Sequence, residues 1–366
     1  MMKLLYIQDH LGLGGISTVV SIKQNWLVVN GYHVANLFTH HEPQPDIEKL
    51  YNPQIKIHSI SLAQRQAILS IPVVGRIVWF IYFRIQFLKM LFKINPDIII
   101  STHQNLEPTS VILATFWKKR ILEFHISGTR KATDIRTWLL YNIKFRFYKL
   151  VCLTEGDARD KKYFTGQGAI VIPNPKKKYD GPISNCLNKR VIIPARFNEQ
   201  KGLVPFLPHW KEIETRHPDW GLHLYGAGPE KETLEQIKNK NNLTTVFFHE
   251  YSTNIYREIA ESSILLLPSM YEGFPTTLVE AMTCGVPCVA FDCNYGPSDI
   301  IKDGEDGYVV EFKNYKLFIE RIDKLIDDQQ LRIRMGMKAK TNIARYEVER
   351  IMPLWVDLFG KQTSNR

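Results

Sequence analysis

Short apolar β-like runs alternate with segments of helical spacing along this 366-residue chain, and the pattern stops once and starts again. No other feature limits the fold as much. Strands that alternate with helices need crossover connections, and crossovers build parallel sheets. The first series reads Leu4–Ile7, Val34–Thr39, Ile55–Ile60, Asp97–Ser101, Ile121–His125, Leu150–Thr154 and Ala169–Ile172. Ile16–Asn30 has helical spacing and Gly31 suits its C-terminal cap, so residues 1–39 read as one βαβ unit. A polar stretch with proline and glycine, from Pro173 to Pro182, breaks the pattern as a linker. The second series is Arg190–Pro194, Trp220–Tyr225, Thr245–His249, Ile264–Pro268, Pro287–Phe291 and Gly307–Glu311, and the chain is helical from about Tyr315. No repeat of fixed period is present. The expectation is an α/β chain of two doubly wound parallel-sheet domains with a ligand cleft between them.

Each half is long enough to bury its own core, so neither disulfides nor metals are needed as staples. The five cysteines, Cys152, Cys186, Cys284, Cys288 and Cys293, contain no CxxC pair and have no histidine at metal-ligand spacing, and read as structural. A content of 45% hydrophobic and 23% charged residues excludes a disordered chain. No apolar run reaches the ~18 residues of a spanning helix. The opening run Lys3–Ile7 is too short for a signal-peptide core, which points to the cytoplasm.

Charge divides the chain unevenly. Residues 1–180 hold 24 basic and 12 acidic residues (24 − 12 = +12), and the remainder hold 23 and 25 (23 − 25 = −2). A basic half points to an anionic partner. Two segments there are apolar, aromatic and basic together: Ile77–Leu91, with Arg76, Arg84, Lys89 and Lys93 along it, and Trp138–Lys149. Such a helix can lie in the interface of an anionic membrane; the alternative is a helix buried in the first domain.

Three loops carry chemistry. Gly12-Leu13-Gly14-Gly15 follows a strand and opens a helix, which lets backbone approach an anion; Ser17 stands where a dinucleotide fingerprint needs glycine. Arg196 and Lys201 follow the first strand of the second series and can converge on one diphosphate. After Pro268, Glu272 falls in a loop and Glu280 about one turn inside the next helix, flanking the free N–H groups of Thr276, Thr277 and Leu278. Two carboxylates around an anion nest suit a sugar nucleotide, one for the sugar hydroxyls and one for the ribose.

Glu272-x7-Glu280 within EGFPTTLVEAMTCGVPCVA resembles the signature of retaining glycosyltransferases of the GT-B fold, specifically glycosyltransferase family 4. Gly14-Gly15, Ile172-Pro173-Asn174, Arg196, Lys201, Leu224 to Glu230, Gly296 to Ile301 and Gly304-x-x-Gly307 fit the same pattern. The resemblance implies two Rossmann-like domains: residues 1–178 for the acceptor, 179–345 for the nucleotide sugar, and a C-terminal helix at 346–366 packing back on the first. It implies that Arg196 and Lys201 neutralise the donor diphosphate without a metal, helped by the backbone of Gly273, Phe274, Pro275, Thr276, Thr277 and Leu278. Glu280 would bind ribose and Glu272 the donor sugar. Gly14, Gly15, Gly226 and Glu250 complete the donor set. His125 matches the family's strand-end histidine beside the anomeric carbon, giving a catalytic set of His125, Glu272, Arg196 and Lys201; a purely structural His125 is the other reading, and His103 is a weaker cleft candidate. Ala195 and Glu250 stand where the family usually has glycine, and Ile126 follows His125 in place of Asp or Gly.

The implied reaction is retaining transfer of a hexose or N-acetylhexosamine, with the leaving phosphate as base, from a UDP-linked donor to a lipid-linked or other glycan at a membrane surface. No cofactor, metal or nucleic acid is expected. GDP-mannose as donor, a sugar-nucleotide epimerase or phosphorylase, and a non-catalytic polyanion-binding protein are the alternatives.

Overall fold

The computed structural model describes residues 1–8, 15–39, 45–60, 68, 70, 74–102, 118–125, 149–165 and 168–363. The chain forms two compact units, Met1–Pro175 with Val348–Arg366, and Lys176–Glu347.

The first unit holds a seven-stranded sheet: β1 (Lys3–Gln8), β2 (His33–Phe38), β3 (Lys56–Ser59), β4 (Ile98–Ser101), β5 (Lys119–Glu123), β6 (Lys149–Cys152) and β7 (Ala169–Val171), in the order β3-β2-β1-β4-β5-β6-β7. Every pairing is parallel. Strands covered on both faces read as continuous apolar runs, and the wholly buried Ile98–Ser101 shows why. The helix Gly15–Val29 links β1 to β2 and ends in a left-handed Gly31 at φ 87°. The helix Gly75–Ile94 buries Trp79, Phe83, Phe87 and Leu91 against β1, β2 and β4. Its opposite face leaves Ile77, Val78, Ile81 and Ile85 exposed. The helix is therefore buried along one stripe only, which neither sequence reading of it alone describes.

The second unit repeats the winding in six parallel strands: β8 (Arg190–Pro194), β9 (Gly221–Tyr225), β10 (Val246–His249), β11 (Ile264–Leu267), β12 (Cys288–Phe291) and β13 (Gly307–Val310), ordered β10-β9-β8-β11-β12-β13. Its core centres on Trp210, Phe206, Phe291 and Phe318. The helix Tyr315–Asp327 supplies Phe318, Ile319, Ile322, Leu325 and Ile326 at helical spacing, and the Asn314 side chain caps it by accepting from the Leu317 N–H at 3.1 Å. All five cysteines are free and buried.

The final helix, Val348–Thr363, belongs to the first unit. It packs on Gly15–Val29, with the Phe359 ring edge-on to Tyr32 and the Trp355 ring 4.8 Å from Lys23 Nζ.

Candidate functional site

In a doubly wound sheet, ligands bind beyond the carboxyl ends of the strands where the strand order reverses. In the second unit that point lies between the paired strands β8 and β11. Past β8 the chain runs into Ala195 and Arg196; past β11 it runs into Ser269 and Glu272. The charged residues of both loops therefore sit where this topology binds ligands.

Two close approaches hold these loops. Gly202 has φ 64°, and a Cβ there would fall 2.1 Å from the Pro268 carbonyl oxygen. Only glycine lets the turn carrying Lys201 lie against the exit of β11. The Met270 N–H donates to the Gln200 carbonyl at 2.8 Å and Gln200 Nε2 donates to the Tyr271 carbonyl at 3.1 Å, tying the same loops. On the other flank, a Cβ at Gly226 would fall 2.0 Å from the Ala195 carbonyl oxygen. The Phe197 N–H donates to the Ala227 carbonyl at 2.9 Å, so the turn after β9 clasps the backbone on both sides of Arg196. Gly226 thus shapes the Arg196 loop through backbone contact.

Lys201 Nζ donates to Glu272 Oε1 at 2.6 Å, and Ser269 Oγ donates to the same oxygen at 2.7 Å. Glu272 is 6% exposed, so its carboxylate is fixed in one orientation. Its backbone is also held: its N–H donates to the Asn294 carbonyl at 3.0 Å, and its carbonyl accepts from the Tyr295 N–H at 2.7 Å. Arg196 is exposed and has no ion-pair partner among the described residues. Gly273, Phe274 and Pro275 lead into the helix Thr276–Thr283, with Phe274 edge-on against Tyr346. That helix has no acidic residue in its first turn and no side-chain cap, leaving the N–H groups of Thr276 and Thr277 as its positive end. Glu280 lies one turn further on. Burial pushes its carboxyl up to about 7, although the charges of Lys177 and Lys201 pull it down. A carboxyl that titrates near neutrality beside two cations is the kind of perturbed group found at functional sites.

Glu250 stands apart from this cluster. Its exposed side chain pairs with Lys231 at 2.8 Å, and that hydrogen bond holds its carboxyl below the usual range. Among the described residues no group of three or more His, Cys, Asp or Glu side chains is arranged to hold a metal ion.

In the first unit, Gly15 opens the helix Gly15–Val29 after β1, while Gly14, His103 and residues 138–148 lie outside the described residues. His125 follows β5 and is buried. Its Nε2 lies 3.4 Å from Glu123 Oε1, and that oxygen also accepts from Lys23 Nζ. Sequence reading missed four contributors. Ser269 lies three residues before Glu272, a spacing that could have suggested it. Lys177 was read only as linker. Glu123 and Lys23 are 100 residues apart, with no local signal that joins them.

Residues 185–342 match the model of the family described as Glycosyl transferases group 1. The amylovoran biosynthesis glycosyltransferase AmsD of Erwinia amylovora is 33% identical over 225 residues, covering 58% of this chain and 62% of its own length. The poly(ribitol-phosphate) alpha-N-acetylglucosaminyltransferase of Staphylococcus aureus is 35% identical over 268 residues, covering 72% of this chain and 53% of its own. The chain thus spans between half and two thirds of these relatives. The structure of Anabaena HepE in complex with UDP aligns with a TM-score of 0.79 at 16% identity, covering 98% of this chain and 100% of that one. At that identity the likeness is one of fold.

Proposed function

We propose, from the match of residues 185–342 to the glycosyl transferases group 1 model and from the GT-B fold, that the chain is a family 4 retaining glycosyltransferase that moves a hexose or N-acetylhexosamine from a UDP-sugar to a surface-polysaccharide or polyol-phosphate acceptor. The observation that carries this reading is the array at the end of β8 and β11: unpaired Arg196, Lys201 bonded to Glu272 at 2.6 Å, and the uncapped start of Thr276–Thr283. Lys201, held by Glu272, and a helix N-terminus, joined by the exposed Arg196, neutralise a leaving diphosphate with no metal. Glu272 accepts from donor-sugar hydroxyls through Oε2, since Oε1 already takes Lys201 and Ser269. Glu280 accepts from the ribose diol. His125 serves as the catalytic histidine, the leaving phosphate takes the acceptor proton on the same face, and the first unit holds the acceptor.

The UDP assignment draws support from HepE, which was solved with UDP. The acceptor class draws support from AmsD and the poly(ribitol-phosphate) enzyme, and from the +12 of residues 1–180 (24 − 12), which suits an anionic acceptor or membrane. The exposed stripe Ile77, Val78, Ile81 and Ile85, with Lys89 and Lys93 exposed further along the same helix, is the surface we assign to anionic lipid on the cytoplasmic face. No described helix is long and apolar enough to cross a membrane.

Radiolabelled UDP-glucose, UDP-GlcNAc and GDP-mannose offered with polyol-phosphate and lipid-linked acceptors test the reading. Transfer from a UDP-sugar in EDTA, with the anomeric configuration kept, is expected. Transfer only from GDP-mannose, or conversion of the donor without an acceptor, would replace it.

A further inference from the structure

The donor loops leave unused a set of charges buried beneath the sheet of the first unit. Lys23 is 0% exposed and Glu123 is 1% exposed, and they form an ion pair between the helix Gly15–Val29 and β5. Taking two charges out of water costs several kcal/mol per ion, and an apolar pair of similar volume would hold helix to strand at least as well. Packing alone does not account for the pair.

Its position supplies a reason. His125 lies two residues past the end of β5, and its Nε2 lies 3.4 Å from the oxygen that Lys23 holds. Glu123 Oε2 and both ring nitrogens of His125 are buried with no hydrogen-bond partner among the described residues. We propose that Glu123, charge-balanced by Lys23, is the positioning residue of His125, holding its ring with Nε2–H toward the carboxylate and Nδ1 presented as an acceptor for a sugar hydroxyl. This rests on the transferase reading for the hydroxyl, though not for the state of the ring.

The tautomer follows from electrostatics. A proton on Nε2 points at the carboxylate, whereas a proton on Nδ1 would turn the Nε2 lone pair toward that negative oxygen. Burial pushes the Glu123 carboxyl up and the Lys23 ammonium down, and in each case the charge of the partner pulls the other way, which favours the ionised pair. Tyr6 on β1 has its hydroxyl pushed well up by burial and by Glu123, so it stays protonated. Trp355 from the final helix sets its ring over Lys23 and favours the cation.

The test is nitrogen NMR of 15N-histidine-labelled full-length protein without substrate, comparing wild type, Lys23→Met, Glu123→Gln and the double variant. In wild type the expected His125 signals are those of the Nε2–H tautomer. Lys23→Met, which leaves the carboxylate facing the ring, should keep that tautomer, and Glu123→Gln, which removes the charge that Nε2–H faces, should give a mixture of the two. The double variant, which buries no charge, keeps the fold testable if either single variant unfolds, and it should lose the tautomer preference. With UDP-sugar, Glu123→Gln should lower kcat with little change in KM for the donor. An Nδ1–H ring in wild type, or an unchanged tautomer in folded Glu123→Gln or the double variant, would overturn the proposal. Because the NMR is read without donor or acceptor, failure of the transferase reading would leave this result standing.

Discussion

The two units share one winding and spend their charges in opposite ways. Both place their first and fourth strands side by side at the point of reversal, β1 beside β4 and β8 beside β11. In the second unit the charges lie in loops beyond the strands, where Arg196 is exposed and Lys201 reaches Glu272. In the first they lie under the sheet, where Lys23 and Glu123 are sealed from water. A loop charge remains available to a ligand and costs little while it waits. A buried charge can act only on what touches it, and here that is His125. The same fold therefore carries exposed loop charges at one reversal point and, in the other unit, a buried ion pair against a neighbouring ring.

The contrast breaks most sharply under substitution. Glu123→Gln alone strands a buried ammonium, and the expected loss of stability is about 3–5 kcal/mol, read by denaturant unfolding of the first unit. Lys201→Ala removes a cation from the proposed phosphate site and frees a carboxylate on its rim. The expected fall in kcat is about 10²–10³-fold, with a drop in melting temperature as well, because the change leaves the buried Glu272 carboxylate without its cation. Gly202→Ala sharpens the loop half of the comparison. Its Cβ would meet the Pro268 carbonyl, so the β8 loop must move and carry Lys201 off Glu272. A loss of about tenfold or more in UDP affinity is expected by calorimetry, with the far-ultraviolet spectrum unchanged.

Glu280 gives a milder, pH-dependent effect. Its carboxyl is raised to about 7 in the folded protein. The native state therefore holds this proton more tightly than the unfolded chain. The stability it contributes is full below the ordinary carboxyl range and is lost as pH rises through about 7. Ligand binding runs the other way if the carboxylate accepts from ribose: UDP affinity should rise with pH up to about 7 and then level off. Glu280→Gln should flatten that profile, as a titration series would read. The smallest effect is expected at Glu250, whose carboxylate is paired with Lys231 in solvent. Glu250→Ala should leave UDP affinity at the wild-type value.

What could be read from the chain follows the same division. Most of the thirteen described strands are visible as apolar runs, because strands covered on both faces cannot hide their composition, whereas the partly exposed β3 is mixed. The donor loops are visible because a strand end, a glycine turn and a helix start follow one another in sequence, so Glu272 and Glu280 already stand eight residues apart with the nest between them. The pair beneath the first sheet is not visible. Lys23 has the look of a surface lysine on a helix, and Glu123 that of a polar residue at a strand end. Only folding brings them together across 100 residues. The role of Gly226 was equally hidden, since its need for glycine comes from the Ala195 carbonyl, 31 positions earlier (226 − 195).

The most direct test of the account is thermal unfolding with UDP, GDP, ADP and their sugars, in EDTA, for wild type and Glu280→Ala. A ligand that binds only the native state raises the melting temperature. The account predicts a shift selective for UDP and UDP-sugars that persists in EDTA and disappears in Glu280→Ala. No shift with any uridine nucleotide, or a shift that EDTA abolishes, would contradict the claim that the loops after β8 and β11 hold a nucleoside diphosphate by their own charges.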